Sequence, residues 1–321
     1  MRAEDIQTVV VIGAGTMGAG IAGEFARAGC EVRLVDRSDD LLDRGMAMLR
    51  GAQQGLIEAG RLSERDASAA LERIKPLTSP EEACDGVQLL VEAAPEDLSL
   101  KRELFARFDR LCPGRALLAS NTSGLSITEI ARATQRPGLV AGMHFWNPPH
   151  VIPLVEVTKG EETSDATAGT LVEFSRRIGK RPILVRRDVP GFVGNRLQFA
   201  VVREALHILS EGIASAEDID TAMTAGPGLR YALIGPMRTA DLGGLDVFRA
   251  ISQYLFASLS SDAESLAVLA ELVENGTLGA KSGAGFYEYP PKQVDEILRR
   301  RDRVLLAFLK ALDEADRQPG G

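Results

Sequence analysis

TVVVIGAGTMGAGIAGEFARAGCEVRLVD, residues 8–36, decides the fold. A β-branched run, Val9 to Ile12, leads into Gly13, Gly15 and Gly18; an Ala-rich helical stretch follows, and a second strand ends at Asp36. GxGxxG alone is weak, but here the flanking strand, helix and acid complete the dinucleotide-binding fingerprint. Gly13 permits the tight turn off the strand, Gly15 lets the backbone approach a pyrophosphate, and Gly18 lets the helix pack closely on the sheet. The helix N-terminus presents free N–H groups and a partial positive charge to the phosphates. Gly13, Gly15, Thr16, Met17 and Gly18 are therefore the expected cofactor contacts. Asp36, 23 residues after Gly13, is placed to accept hydrogen bonds from the adenosine ribose and to repel a 2′-phosphate. That favours NAD over NADP. Arg37 beside it could pair with such a phosphate, which leaves the second cofactor open.

Outward from this stretch, residues 39–59 and 64–73 read as two helices, a hairpin inserted into the nucleotide-binding domain. Gly86 to Ala94 is a buried strand closing on Pro95 and Glu96; a helix carrying Lys101 follows, then a strand from Ala116 to Ser120 closing on Asn121, Thr122 and Ser123. Strands alternating with helices imply a doubly wound parallel sheet with ligands beyond the strand C-termini, where Glu96 and Ser123 fall. From Leu139 a strand, a polar break at 144–150 and a second strand carrying Glu156 follow. Pro148 and Pro149 exclude regular pairing there, so His144 is expected on an irregular, exposed turn. Residues 164–179 read as a helix and 182–185 as a last strand. DVPGF at 188–192 is the expected linker, dividing an α/β nucleotide-binding domain, 1–187, from an all-helical domain, 188–321. Helices are expected there over 192–212, 216–225, 240–258, 263–275 and 292–315.

At 321 residues, two domains are the better prior. A formal net charge of −8 argues against a nucleic-acid or anionic-membrane partner. Cys30, Cys84 and Cys112 are too scattered for a metal knuckle or a CxxC pair, so no metal is expected, and their odd number suits a reducing cytoplasm. No secretory signal and no membrane span are read. The abundant apolar surface of the helical half suggests pairing with a second copy, a homodimer.

Oxidising an alcohol by hydride transfer needs a proton acceptor, and histidine is the commonest choice near neutral pH. The candidates are His144, His150 and His207. His207 lies in an apolar helix and reads as packing, and His150, after two prolines, reads as surface. His144 opens HFWNPP after a strand, with Glu156 able to return alongside it.

VIGAGTMGAGIA, VEAAPEDLSLKRELF, ASNTSGLSITEI, GMHFWNPP, LVEVTKG, DVPGFVGNR, EDIDTAM, GPM with DLGGLD, and KSGAGFY occur in this order. Together they make the chain resemble the L-3-hydroxyacyl-CoA dehydrogenase family from end to end. The resemblance implies a Rossmann-type domain, NAD, and His144 as general acid/base oriented by Glu156. It implies that Ser123 and Asn195 hold the reacting oxygen and its polar neighbours. It further implies that Glu96 and Lys101 meet the nicotinamide half, that Asn147 lies near the nicotinamide, and that Lys281 helps close the site from the helical domain. The implied substrate is an L-3-hydroxyacyl-CoA. One departure qualifies it: residues 38–73 hold seven acids, five arginines and no lysine, where family members that use coenzyme A carry lysines late in the hairpin. The NPPHVIPLVEV segment also resembles relatives that oxidise gulonate, carnitine or pyridine carboxylates, so a small free substrate stays open. A non-catalytic NAD-binding protein is the remote alternative, opposed by the joint presence of His144, Glu156, Ser123 and Asn195.

Overall fold

Hydrophobic alternation in the first strand sets the layers. In β1 (Thr8–Ile12), Val9 and Val11 point into one buried cluster with Phe25, Leu34 and Phe145, while Val10 and Ile12 point into another with Phe105, Phe108 and Leu118. Both faces of the sheet are therefore covered, as a doubly wound architecture requires. The computed structural model describes residues 1–264 and 267–316. Internal packing divides the chain into two units, one of Met1–Arg196 with Asp302–Ala307, the other of Leu197–Arg301 and the described residues from Phe308 onward.

In the first unit, β1, α1 (Thr16–Arg27) and β2 (Glu31–Val35) form the opening turn, and the inserted hairpin is α2 (Asp39–Glu58) with α3 (Glu64–Glu72). There follow β3 (Ile74–Leu77), α4 (Pro80–Ala83), β4 (Leu89–Glu92), α5 (Leu98–Leu111), β5 (Leu117–Ser120), α6 (Ile127–Ala131), β6 (Val140–Phe145), β7 (Leu154–Thr158), α7 (Asp165–Arg177) and β8 (Arg181–Val185). Side-chain caps fix several helix starts: Ser63, Asp97, Ser126 and Ser164 each accept the N–H three residues on. The eight strands run in the order β3-β2-β1-β4-β5-β6-β7-β8.

The sheet departs from the all-parallel expectation at one place. β6 and β7 pair antiparallel, because the short break between Phe145 and Leu154 cannot carry the dozen or more residues of a crossover. His144, expected on an exposed turn, is instead inside β6 and buried. The strand keeps its ladder through Phe145, and the prolines interrupt pairing only after it. β3 was not expected either; it tolerates Pro76 as an edge strand paired only with β2.

After β8 the helices are α8 (Gly194–Ser210), α9 (Ala216–Ala225), α10 (Pro227–Gly243), α11 (Leu245–Leu255), α12 (Ala267–Glu274) and α13 (Pro291–Asp316), all of the second unit except the start of α8 and residues 302–307 of α13. α10 was missed from Pro227 to Thr239, and the single helix expected over 240–258 joins its last turn to α11; α10 is broken at Gly235, φ 70°, just before Pro236. The helix expected over 263–275 begins at Ala267 among the described residues, and Ser265 and Leu266 lie outside them. No described helix is long and apolar enough to cross a membrane.

Candidate active site

The glycine turn has the shape that a dinucleotide requires. Gly13 holds φ +97°, and a Cβ on it would lie 2.7 Å from the Ala93 carbonyl oxygen. On Gly18 a Cβ would lie 1.7 Å from the Gly13 oxygen, so any side chain there breaks the turn. Gly15 is the N-cap of α1 with no side chain capping it, and a Cβ there would meet nothing within 4 Å. Its backbone is thus open to close approach by a pyrophosphate, and the residues fit the cofactor. Thr16 beside it is exposed, and Met17 packs against the core. Asp36 stands at the end of β2 with Oδ2 accepting the Ala14 N–H at 2.7 Å and Oδ1 accepting the Arg37 N–H at 2.7 Å. The carboxylate therefore also ties β2 to the turn. Gly45 of α2 went unnoticed in the sequence; a Cβ there would lie 2.5 Å from the Ala14 oxygen, so the hairpin is seated directly on the turn.

A chain of charged groups runs beneath the next two strand ends. Glu92, the last residue of β4, is fully buried; it accepts from Lys101 Nζ at 2.7 Å and from Ser120 Oγ at 2.6 Å. Lys101 is 1% exposed, and its ammonium also donates to the Ala94 oxygen at 3.1 Å and lies 3.5 Å from Glu96 Oε2. Glu96 is exposed and accepts from Thr122 Oγ1 at 2.5 Å and from the Ser123 N–H at 2.9 Å. Lys101, expected at the cofactor, is thus enclosed by acceptors of its own chain. Ser123 is exposed, and its carbonyl oxygen accepts from Asn195 Nδ2 at 2.8 Å.

His144 and Glu156 are register partners across β6 and β7, with Nδ1 2.9 Å from Oε2. Trp146 Nε1–H donates to the same Oε2 at 3.2 Å, while the Val193 and Gly194 N–H groups donate to Oε1 at 3.0 and 2.9 Å. Burial pushes the Glu156 carboxyl up, but the hydrogen bonds from His144, Gly194, Val193 and Trp146 outweigh it and hold the group below its ordinary value. A carboxylate lowered in this way stabilises the fold above the ordinary carboxylate range, and the stabilisation disappears as pH falls through the folded-state value. Asn121 Oδ1 accepts the Phe145 N–H at 2.8 Å and braces the end of β6.

The remaining candidates are dispersed. Asn147 is exposed directly after β6, with a cis bond to Pro148. His150 is half-buried; desolvation lowers its pKa against the opposing pull of Glu24 and Asp302. His207 is half-buried in α8, and Lys281 is exposed in the second unit. Among the described residues no group of three or more His, Cys, Asp or Glu could hold a metal. Sequence reasoning missed Glu92, Trp146 and Gly194. A lone acid inside the apolar run LLVEAA was the available signal for the first.

Residues 8–189 match the 3-hydroxyacyl-CoA dehydrogenase NAD-binding domain, and residues 191–289 match the C-terminal domain of the same enzymes. The chain belongs to the 3-hydroxyacyl-CoA dehydrogenase family. It is an NAD-dependent oxidoreductase acting on CH–OH groups. It is 35% identical over 308 residues to 5-formyl-3-hydroxy-2-methylpyridine 4-carboxylate 5-dehydrogenase of Mesorhizobium japonicum, covering 96% of this chain and 99% of that one. It is 40% identical over 283 residues to 3-hydroxybutyryl-CoA dehydrogenase of Clostridioides difficile, covering 88% and 99%. A crystal structure of the pyridine-carboxylate 5-dehydrogenase, described as an NAD+-dependent dismutase, superposes with a TM-score of 0.90 at 35% identity, over 96% of this chain and 99% of that one.

Lys101→Met leaves Glu92 buried without its counter-ion and is expected to destabilise the protein by about 3–5 kcal/mol. Glu92→Gln with Lys101→Met should recover a large part of that loss. Urea denaturation with an unchanged m-value is the check, and a Lys101→Met midpoint equal to the wild type contradicts the pairing.

Proposed function

We propose that the enzyme interconverts an L-3-hydroxyacyl substrate and its 3-oxo product, with His144 as general acid/base and Glu156 as the group that orients it. The observation that carries this reading is the 2.9 Å contact between His144 Nδ1 and a fully buried Glu156 carboxylate. With Nδ1–H donated to Glu156, Nε2 is left as the acceptor for the substrate hydroxyl proton, and the carboxylate stabilises the imidazolium that forms. Ser123 and Asn195, linked through the Ser123 carbonyl, hold the substrate oxygen and its neighbour. Bound NAD supplies the hydride acceptor at its nicotinamide. Glu96 and Asn147 flank that half of the cofactor, Lys101 acts there through Glu96, and Lys281 contributes from the helical domain. Exposed Leu197, Phe199, Leu233, Met237, Leu242 and Tyr254 in the second unit support a homodimer through that domain. Three buried free cysteines suit a cytoplasmic setting.

The span of the family match supports a coenzyme A thioester. A second reading, a small free carboxylate, is supported by the hairpin, whose exposed face carries Asp39, Asp40, Asp43 and Glu58 beside Arg50, Arg61 and Arg65. It is supported too by the longer match to the pyridine-carboxylate enzyme and by α13, which follows the end of the C-terminal family match at residue 289.

His144→Gln should lower turnover by about 10²–10⁴-fold, the usual loss with a general base, with NADH binding by fluorescence unchanged; activity within a few-fold of wild type rejects the assignment. Acetoacetyl-CoA reduction separates the two substrates. Under the thioester reading, salt and the Arg61→Glu and Arg65→Glu substitutions raise the KM for the thioester and leave that for a truncated acyl thioester unchanged. No thioester activity, alongside NADH formation from a free hydroxy acid, selects the second reading.

A further inference from the structure

Both oxygens of Glu156 are engaged, and the groups on Oε1 come from one short segment. Residues 188–195, DVPGFVGN, form a turn in which Gly191 holds φ +74° and Phe192 φ +49°. Phe192 is the one non-glycine residue with positive φ among the described residues, and it is buried, packed with Ile127 and Val185 and with its ring 6.1 Å from that of His144. A left-handed phenylalanine is costly and persists only where its surroundings over-determine it. The result of that backbone path is that two successive N–H groups, Val193 and Gly194, converge on one carboxylate oxygen.

The segment is also anchored at both ends to the loop that carries Ser123. Asp188 Oδ2 accepts from Ser126 Oγ at 2.6 Å and from the Thr128 N–H at 2.8 Å. Asn195 Nδ2 donates to the Ser123 oxygen. Gly194 closes the arrangement against the indole: a Cβ there would lie 2.4 Å from Trp146 Cζ2 and 3.2 Å from Glu156 Oε2. Its φ is not in the left-handed region, so proximity to Trp146 alone demands glycine.

We propose that residues 188–195 together with Trp146 form a positioning frame for the acid/base pair, one that fixes the Glu156 carboxylate from both oxygens and so holds His144 in its working orientation. The inference rests on the reading of His144 as general base. Rotation of the carboxylate would break the donations from Val193, Gly194 and Trp146 together, so Oε2 stays aimed at Nδ1. These N–H groups also share the negative charge, which keeps Glu156 ionised and weakens its pull on the imidazolium. Glu156, from the neighbouring strand, is the hydrogen-bond partner of His144, and the rings of Trp146 and Phe192 flank the imidazole.

Trp146→Phe removes one N–H from Oε2 while keeping an aromatic ring in place. Oε2 then loses the donor that helps to hold it beside His144 Nδ1. With the carboxylate less firmly aimed at Nδ1, kcat should fall several-fold while KM and the NADH dissociation constant stay unchanged. Gly194→Ala should lower kcat about tenfold or more, with the NADH dissociation constant unchanged, as misplacement of catalytic groups does. The double variant Gly194→Ala/Trp146→Phe removes the indole atoms that the new methyl strikes, and should recover kcat to within a few-fold of Trp146→Phe alone. Wild-type kcat in Trp146→Phe, wild-type kcat in Gly194→Ala, or no recovery in the double variant overturns the frame. If Gly194→Ala does not fold, the kcat and KM of Trp146→Phe decide by themselves. Failure of the underlying reading is distinguishable, since it shows as activity retained in His144→Gln.

Discussion

Enclosing a carboxylate costs several kcal/mol unless its lone pairs are met by good donors, and the fully buried Glu156 is held under this constraint. It stands in β7 with no exposed surface and is met by His144 from β6, the Trp146 indole after that strand, and two amides at 193 and 194. Each donor requires a particular piece of the fold. The antiparallel β6–β7 pairing puts His144 opposite it in register. The left-handed path through Gly191 and Phe192 turns the amides toward it.

A second buried acid plays the corresponding part under the cofactor side. Glu92 ends β4 and gathers Lys101 from α5 and Ser120 from β5, so the ends of adjacent strands are joined below the surface at which Glu96 and Ser123 emerge. The parallel part of the sheet brings these ends to one edge, where ligands of doubly wound sheets bind. The site is thus assembled on an internal ion pair, Lys101–Glu92, and an internal hydrogen-bonded pair, His144–Glu156, with exposed groups projecting from them.

What was legible in the sequence had a local cause. Gly13 and Gly18 could be read because a strand, a turn and a helix within a few residues demand them, and the hairpin helices because their period is continuous. Asp36 was read as a ribose partner, but its hydrogen bond from Ala14 depends on how β2 meets the turn. Glu92 sits in an apolar run and only reveals itself once Lys101 is seen to reach it. Gly194 is demanded by Trp146, 48 residues earlier, and no spacing rule reports a clash of that kind. His144 was placed on an exposed turn because the following prolines were allowed to end the strand too early. The family resemblance named its role and its partner Glu156, and the register of β6 and β7 shows how the two are brought together.

The orientation of the His144 ring is the central claim, and it is open to direct observation. Nitrogen-15 NMR of histidine-labelled protein, with the His144 signals assigned by their loss in His144→Gln, reports which ring nitrogen carries the proton above the imidazole titration. Donation from Nδ1 to Glu156 predicts a protonated Nδ1 and a bare, pyridine-like Nε2. A neutral His144 protonated at Nε2 would contradict the account, because the nitrogen assigned to take the substrate proton would already hold one.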